Sequence, residues 1–368
     1  YEPNDQIGIP WDLNKIAQLL FFIALSATVV CLICARTKAK RWWIGGLGLL
    51  LSAVLLTGYF IPVSVPVMDL SAASETADTT YYDMIHKDCQ KDEAADFRVK
   101  KYQLDFSVGL NLTGSAKVYV DRSELKSYRF TLYHGYKVKQ VTDQTGAALD
   151  FRREYDYVTV TRGGADVEYL CLEYTGKSPK YYSSYAGVCL PANFAYYPIP
   201  GYRELFKDSF YGFIDCSLPY DTAFDVRCSG RKQMYCNLAA RGDNHFAGNA
   251  RSITLLSGYY DTLKLNDTLV VYPKYADGEI RARVKKNMGT FTKEHRDIRT
   301  IFIMGADNLT PYEHLRSYDG YVVTNSMIDM EQSYFESQID ISKMDFYKTF
   351  VYYLSLIHIS EPTRLDVI

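Results

Sequence analysis

Two uncharged apolar runs, residues 16–35 and 42–61, stand at the start of the chain with a short basic stretch between them. A helix rises about 1.5 Å per residue, so about twenty residues cross a hydrocarbon core, and each run is long enough. The connecting Arg36-Thr-Lys-Ala-Lys-Arg41 carries Arg36, Lys38, Lys40 and Arg41 and no acid. Short loops rich in Lys and Arg stay cytoplasmic, and Trp42 and Trp43 follow where an interfacial aromatic belt belongs. Pro62 and Pro66 are expected to close the second helix. The expectation is a transmembrane helical hairpin (16–62) in the cell membrane with its tip in the cytoplasm. An outer flank (1–15) and everything after the hairpin then lie outside. A signal peptide fits poorly, because the positive charges follow the first run and a second span comes at once. A plain two-helix anchor and a chain with an odd number of earlier spans are both open. Gly45, Gly46 and Gly48 would allow close helix packing or be neutral to it. Neither run holds an ionisable residue, so no transport path can be placed on these helices.

Beyond the hairpin the composition changes. Residues 63–96 are expected to form a linker, whose stretch from Asp69 to Thr80 is small, polar and without apolar period. From Phe97 onward Val99, Tyr102, Leu104, Phe106, Val108, Leu110 and Leu112 fall mostly two apart, the rhythm of a half-buried strand. Gly114 is expected to break that run before Ala116, Val118 and Val120 resume it. Further runs at Phe130–Leu132, Val138–Val141, Val158–Val160 and Val167–Tyr174, with a turn at Asp143-Gln-Thr-Gly146, predict an all-β sandwich or open saddle. A second β segment runs through Phe224, Val226 and Cys228, turns at Ser229-Gly230 and returns through Met234, Cys236 and Leu238. After Asp277-Gly278 a polar helix over 285–299, short strands at 300–304 and 321–324, and a helix opening near Met327 predict the start of an α/β domain (276–353). The 33 tyrosines lie mostly after residue 80, where half-buried strands use them well. A net charge of -2 gives no nucleic-acid footprint, so no nucleic-acid partner is expected.

Several short pieces over residues 102–272 resemble the amino-terminal β domain of M1-family, aminopeptidase N-like, zinc metallopeptidases. They are Tyr102-Gln-Leu-Asp-Phe106, Leu172-Glu-Tyr-Thr-Gly176, Tyr196-Tyr-Pro198, Phe224-Asp-Val226, Cys236-Asn-Leu238 and Leu255-Leu-Ser-Gly-Tyr-Tyr260. The resemblance implies a saddle-shaped β domain (97–275) leading into a thermolysin-like catalytic domain, with Asp319-Gly-Tyr-Val-Val323 at its entry. In that family a His-Glu-x-x-His helix and a downstream Glu hold zinc, and the Glu of the motif activates the metal-bound water. No His pair four apart occurs here, since His stands at 86, 134, 245, 295, 314 and 358. No catalytic residue, metal ligand or cofactor is therefore assigned to this chain, and zinc is expected only in an intact protein. The run from Leu354 to Arg364 resembles a translated sequencing adapter, so 354–368 is expected to be an artefact and the chain a bacterial fragment. A hairpin leading into such a domain also resembles ABC-2 type permease and M1 peptidase fusions.

Six of the eight cysteines lie beyond the hairpin. Cys228 and Cys236 flank a turn and are the candidate disulfide, while free buried thiols fill strand positions equally well. Single His beside acids at Glu294-His295-Arg296-Asp297 and Tyr312-Glu-His314 read as surface groups. The Tyr-rich stretch from Tyr181 to Tyr211 reads as an irregular crossover packed on the sheet, or else as a rim for contacts. Three functions compete. One is a membrane-anchored extracytoplasmic M1-like metallopeptidase acting on peptides, seen without its zinc site and joined to a permease. The second is a non-enzymatic β binding or structural module serving transporter subunits. The third is a plain permease subunit with a large outer domain. A His-Glu-x-x-His helix after Tyr353 would separate them.

Overall fold

The computed structural model describes residues 13–35, 37–58, 78–85, 89–178, 180–185, 187–207, 212–231, 233–274, 278–304 and 315–324. The apolar runs form helices α1 (Leu13–Cys34) and α2 (Lys38–Thr57), and both are long and apolar enough to cross a membrane. The second helix begins earlier than its apolar run because Thr37 caps it, its hydroxyl accepting from the Lys40 amide. Lys38, Lys40 and Arg41 thus lie in the first turns of α2 and not in a loop. Arg41 Nε donates to the Ala35 carbonyl (3.0 Å), bridging the end of one helix to the start of the next. The helices pack where the Thr28 side chain fills the space a β-carbon on Gly48 would need, so this glycine sets their approach. Their other sides expose Phe22, Ile23, Ile33, Leu47 and Leu49, a surface suited to hydrocarbon. Pro62, Pro66, the stretch 69–77, the helix near Met327 and the adapter-like run lie outside the described residues.

The β region starts with a hairpin of β1 (Val99–Val108) and β2 (Leu112–Val120), turning at 109–111. Here the structure corrects the sequence reading: Gly114 does not end a strand but sits inside β2. The Tyr174 ring occupies the place a side chain at 114 would take, so only glycine keeps the strand in register. There follow β3 (Ser127–Thr131), β4 (Tyr136–Thr142), β5 (Phe151–Glu154), β6 (Tyr157–Thr161) and β7 (Tyr169–Gly176). Asp143 makes the expected turn, its carboxylate accepting from the Thr145 and Ala147 amides. The short strands β8 (Ser183–Ser184), β9 (Gly187–Leu190) and β10 (Ile199–Pro200) bracket a crossover that is buried throughout 187–201, so the Tyr-rich stretch is core there and not a rim. Next come β11 (Thr222–Ser229), β12 (Tyr235–Cys236), β13 (Ala239–Gly242), β14 (His245–Ala250) and β15 (Leu255–Ser257).

These strands make a seven-stranded sheet in the order β13-β14-β11-β1-β2-β7-β4 and two four-stranded sheets, β10-β3-β6-β5 and β12-β15-β9-β8. Alternation along β1 and β2 aims Tyr102, Leu104, Phe106, Leu112, Ala116 and Val118 into one core with Leu170, Leu172, Tyr174, Phe224 and Val226. Three of the buried tyrosines anchor their hydroxyls on backbone carbonyls: Tyr102 donates to the Pro198 carbonyl (2.8 Å), Tyr174 to that of Tyr196 (2.8 Å) and Tyr196 to that of Ile253 (2.9 Å). The predicted pairing of 224–228 with 234–238 is a second correction. Both edges of β11 are taken, by β1 in parallel and by β14 antiparallel, so β12 joins β15 in another sheet.

The mixed sheet follows. It holds β16 (Tyr260–Leu265), β17 (Thr268–Pro273), then after helix α3 (Gly278–Glu294) β18 (Thr300–Ile303), β19 (Leu315–Tyr318) and β20 (Tyr321–Thr324), in the order β16-β17-β18-β20-β19. Its first two strands thus come from the stretch read as β domain. The central strands run parallel and are buried on both faces, which explains their continuous apolar sequence. Val270, Tyr272, Ile301, Ile303 and Val322 pack with Met288 and Phe291 of α3. On the other face Val271, Phe302, Met304, Tyr321 and Val323 join the core of the β region.

Candidate functional site

Among the described residues, one set of charged groups from distant segments surrounds His134 in the β3–β4 loop. A helical turn over 78–85, within the stretch expected to be linker, lies against that loop. Tyr82 on this turn is 1% exposed; its ring stacks on Phe206 (4.8 Å between centroids) and meets Phe213 edge-on. Tyr81 stacks flat on the His134 imidazole, 3.5 Å between centroids. Asp78, 2% exposed, accepts a 2.6 Å hydrogen bond from the Tyr133 hydroxyl through Oδ1, while its Oδ2 has no partner. The His134 Nε2 stands 4.0 Å from the same Oδ1. Across the ring, Asp156 accepts from the His134 backbone amide (2.6 Å) and lies 3.3 Å from Nδ1. Arg153 braces the loop through the carbonyls of Leu132 and Tyr133. Burial pushes the Asp78 carboxyl up to about 6, against the lowering pull of the Tyr133 hydrogen bond and of His134. The set thus brings two carboxylates, one imidazole and a phenol together around one loop. This set has no ligand geometry for a metal.

Lys38, Lys40 and Arg41 are exposed at the start of α2, with Trp42 (82%) and Trp43 (81%) beside them; Arg36 lies outside the described residues. Cys228 and Cys236 are both free thiols, on β11 and β12. Burial pushes both up, Cys236 to about 12, and the Cys236 charge adds to the rise at Cys228. His245 lies 2.9 Å from the Asp225 carboxylate on the neighbouring strand, and His295 packs on Phe291; His86, His314 and His358 lie outside the described residues. Among the described residues no group of three or more His, Cys, Asp or Glu could hold a metal ion, so they do not fit a zinc centre.

The pieces that resemble the M1 domain fall on interior structure. Tyr102–Phe106 lies in β1, Leu172–Gly176 in β7, Tyr196–Pro198 in the crossover, Phe224–Val226 in β11, and Leu255–Tyr260 spans β15 into β16. Asn237, just after β12, accepts from the Thr254 amide (2.9 Å) and donates to the Ser252 carbonyl (3.1 Å), tying β12 to the approach to β15. The Asp78–His134 cluster was hidden in sequence, and its one signal was the Tyr81-Tyr82 pair beside a polar stretch.

No family model and no curated protein matches the chain. Its structural neighbours are M1 zinc metallopeptidases and LTA4 hydrolase. Yeast LTA4 hydrolase in complex with bestatin is 12% identical, with a TM-score of 0.43, over 64% of this chain and 42% of that one. An M1 zinc metallopeptidase from Deinococcus radiodurans, bound to a Tyr-Ser-Ala substrate, is 12% identical with a TM-score of 0.39, over 66% of this chain and 63% of that one. The chain therefore spans less than two thirds of the length of these structures. Likeness at this level assigns no role to any residue.

Proposed function

We propose that this chain is the anchoring and scaffolding part of a membrane-tethered, extracytoplasmic M1-like peptidase, joined to an ABC-2 type permease, and that the described residues are not its hydrolytic centre. The observation that carries this is the placement of the six M1-like pieces. In chain order they occupy β1, β7 and β11 inside the large sheet, the buried crossover, β12, and β15 leading into the mixed sheet. The two apolar helices support the tether. Peptide hydrolysis and zinc belong to the whole protein, since the described residues hold no ligand set for the metal. The test is to express this chain and the product of the extended reading frame side by side, measuring zinc by mass spectrometry and release of an aminoacyl fluorophore. This chain should bind no stoichiometric zinc and release nothing, and the longer product should do both. An extended frame without zinc or activity would refute the peptidase. It would favour a non-enzymatic module of a transporter, a reading supported by the missing ligand set among the described residues.

A further inference from the structure

The turn over 78–85 is the last described segment before the β region on the side of the hairpin, and it grips that region through aromatic contacts and one buried carboxylate. We propose that Asp78 is a pH-sensitive latch: protonation of Asp78 fastens the juxtamembrane turn onto the β domain, and proton loss loosens it. The inference goes beyond the peptidase reading and does not depend on it.

The geometry supplies the switch. Asp78 sits on the turn's side of the contact, while Tyr133, His134, Asp156 and Lys180 face it from the β domain. Asp83, on the same turn, is exposed. Oδ1 is used by Tyr133, but the buried Oδ2 has neither hydrogen-bond donor nor solvent, so a charge there is poorly compensated. Asp156 is a second carboxylate nearby and adds to the disfavour of a second negative charge. A neutral Asp78 removes that conflict while keeping the bond from Tyr133. The apolar part of the contact, Tyr82 on Phe206 and Phe213, does not titrate in this range and gives the latch a constant hold.

The sign follows from linkage. In the docked state the Asp78 carboxyl is raised to about 6 from 3.8, so the docked form binds the proton more tightly. Docking is strongest below about pH 4, weakens as pH rises from there through 6, and is flat above. Between pH 5 and 7.5 the docking equilibrium should fall about tenfold.

Hydrogen exchange followed by mass spectrometry on the full chain in lipid nanodiscs tests this, with rates corrected for intrinsic pH dependence. Protection of the amides in 78–85 should fall about tenfold from pH 5 to 7.5, while that of β1 stays constant. Asp78→Asn, neutral at every pH, should remove most of the fall. Tyr82→Ala, which removes the apolar hold and leaves the carboxylate, should leave these amides open at both pH values. An unchanged slope in Asp78→Asn, a flat wild-type profile, or a loss of β1 protection in parallel with the turn would each overturn the latch.

Discussion

Gly114→Ala is the substitution whose effect the structure specifies best. A β-carbon built on Gly114 would lie 2.5 Å from Cζ and 2.7 Å from Cε2 and Oη of Tyr174, and the Tyr174 hydroxyl donates to the Tyr196 carbonyl at 2.8 Å. Tyr174 is fully buried, so its ring must shift against packed neighbours, including Tyr136 at 5.8 Å. Overpacking of this kind destabilises by about 1–3 kcal/mol. Losing the hydroxyl bond leaves the Tyr196 carbonyl without its donor, at about 1–3 kcal/mol. Part of that second amount is recovered by relaxation, so the sum is about 3 kcal/mol. For a unit of this size that corresponds to a fall in Tm of about 10 °C. The assay is thermal unfolding of the purified full chain by near-ultraviolet circular dichroism, in a cycle with Tyr174→Leu. The two substitutions should couple by at least about 1 kcal/mol, because a leucine leaves space for the new methyl. A Gly114→Ala protein within about 0.5 kcal/mol of wild type, or strictly additive effects, would show that Gly114 does not lie under the Tyr174 ring.

Two other outcomes follow from burial and charge. Burial raises the phenols of Tyr102, Tyr174, Tyr196 and Tyr197 well above their usual value, and the thiols of Cys216 and Cys236 to about 12. Groups raised in the folded state keep stability below their unfolded values and lose it as pH climbs, so stability should fall steeply from about pH 9 to 12. Tyrosinate absorbance at 295 nm from these buried rings should appear only together with loss of the near-ultraviolet signal; smooth titration ahead of unfolding would contradict their burial. Replacing Lys38, Lys40 and Arg41 together by Gln should scramble the orientation of the hairpin in cells, read by protease shaving of the β region. A unique orientation that survives the triple substitution would remove these residues as its determinants.

The parts of the fold that were legible in sequence are those where burial is local. β1 alternates because one face is wet, and 270–272 is continuously apolar because that part of β17 is covered on both faces. Gly114 misled because a glycine in a strand and a glycine in a turn look alike until the ring above it is known. The pairing of β11 with β1 was equally hidden, since parallel neighbours far apart in sequence leave no local signal, whereas Ser229-Gly230 invited a hairpin. The positive φ of Gly230 (84°) does turn the chain there, but toward a different sheet. The cluster at His134 needs Asp78, Tyr133 and Asp156 from three segments, and polar composition around residue 78 reads as a linker until Tyr82 is seen in the core. The cationic start of α2 was visible because charge beside an apolar run is a signal in one dimension.

The proposed tether requires the hairpin to hold the β region on the far side of the membrane from the basic elbow. The direct measurement is labelling of intact cells with a membrane-impermeant maleimide, comparing Lys40→Cys at the elbow with Lys139→Cys on β4, in a background where Cys89 and Cys171 are Ser. Both positions are exposed in the structure. Lys139→Cys should label in intact cells and Lys40→Cys only after permeabilisation. Labelling of Lys40→Cys in intact cells, or protection of Lys139→Cys until the cells are opened, would contradict it.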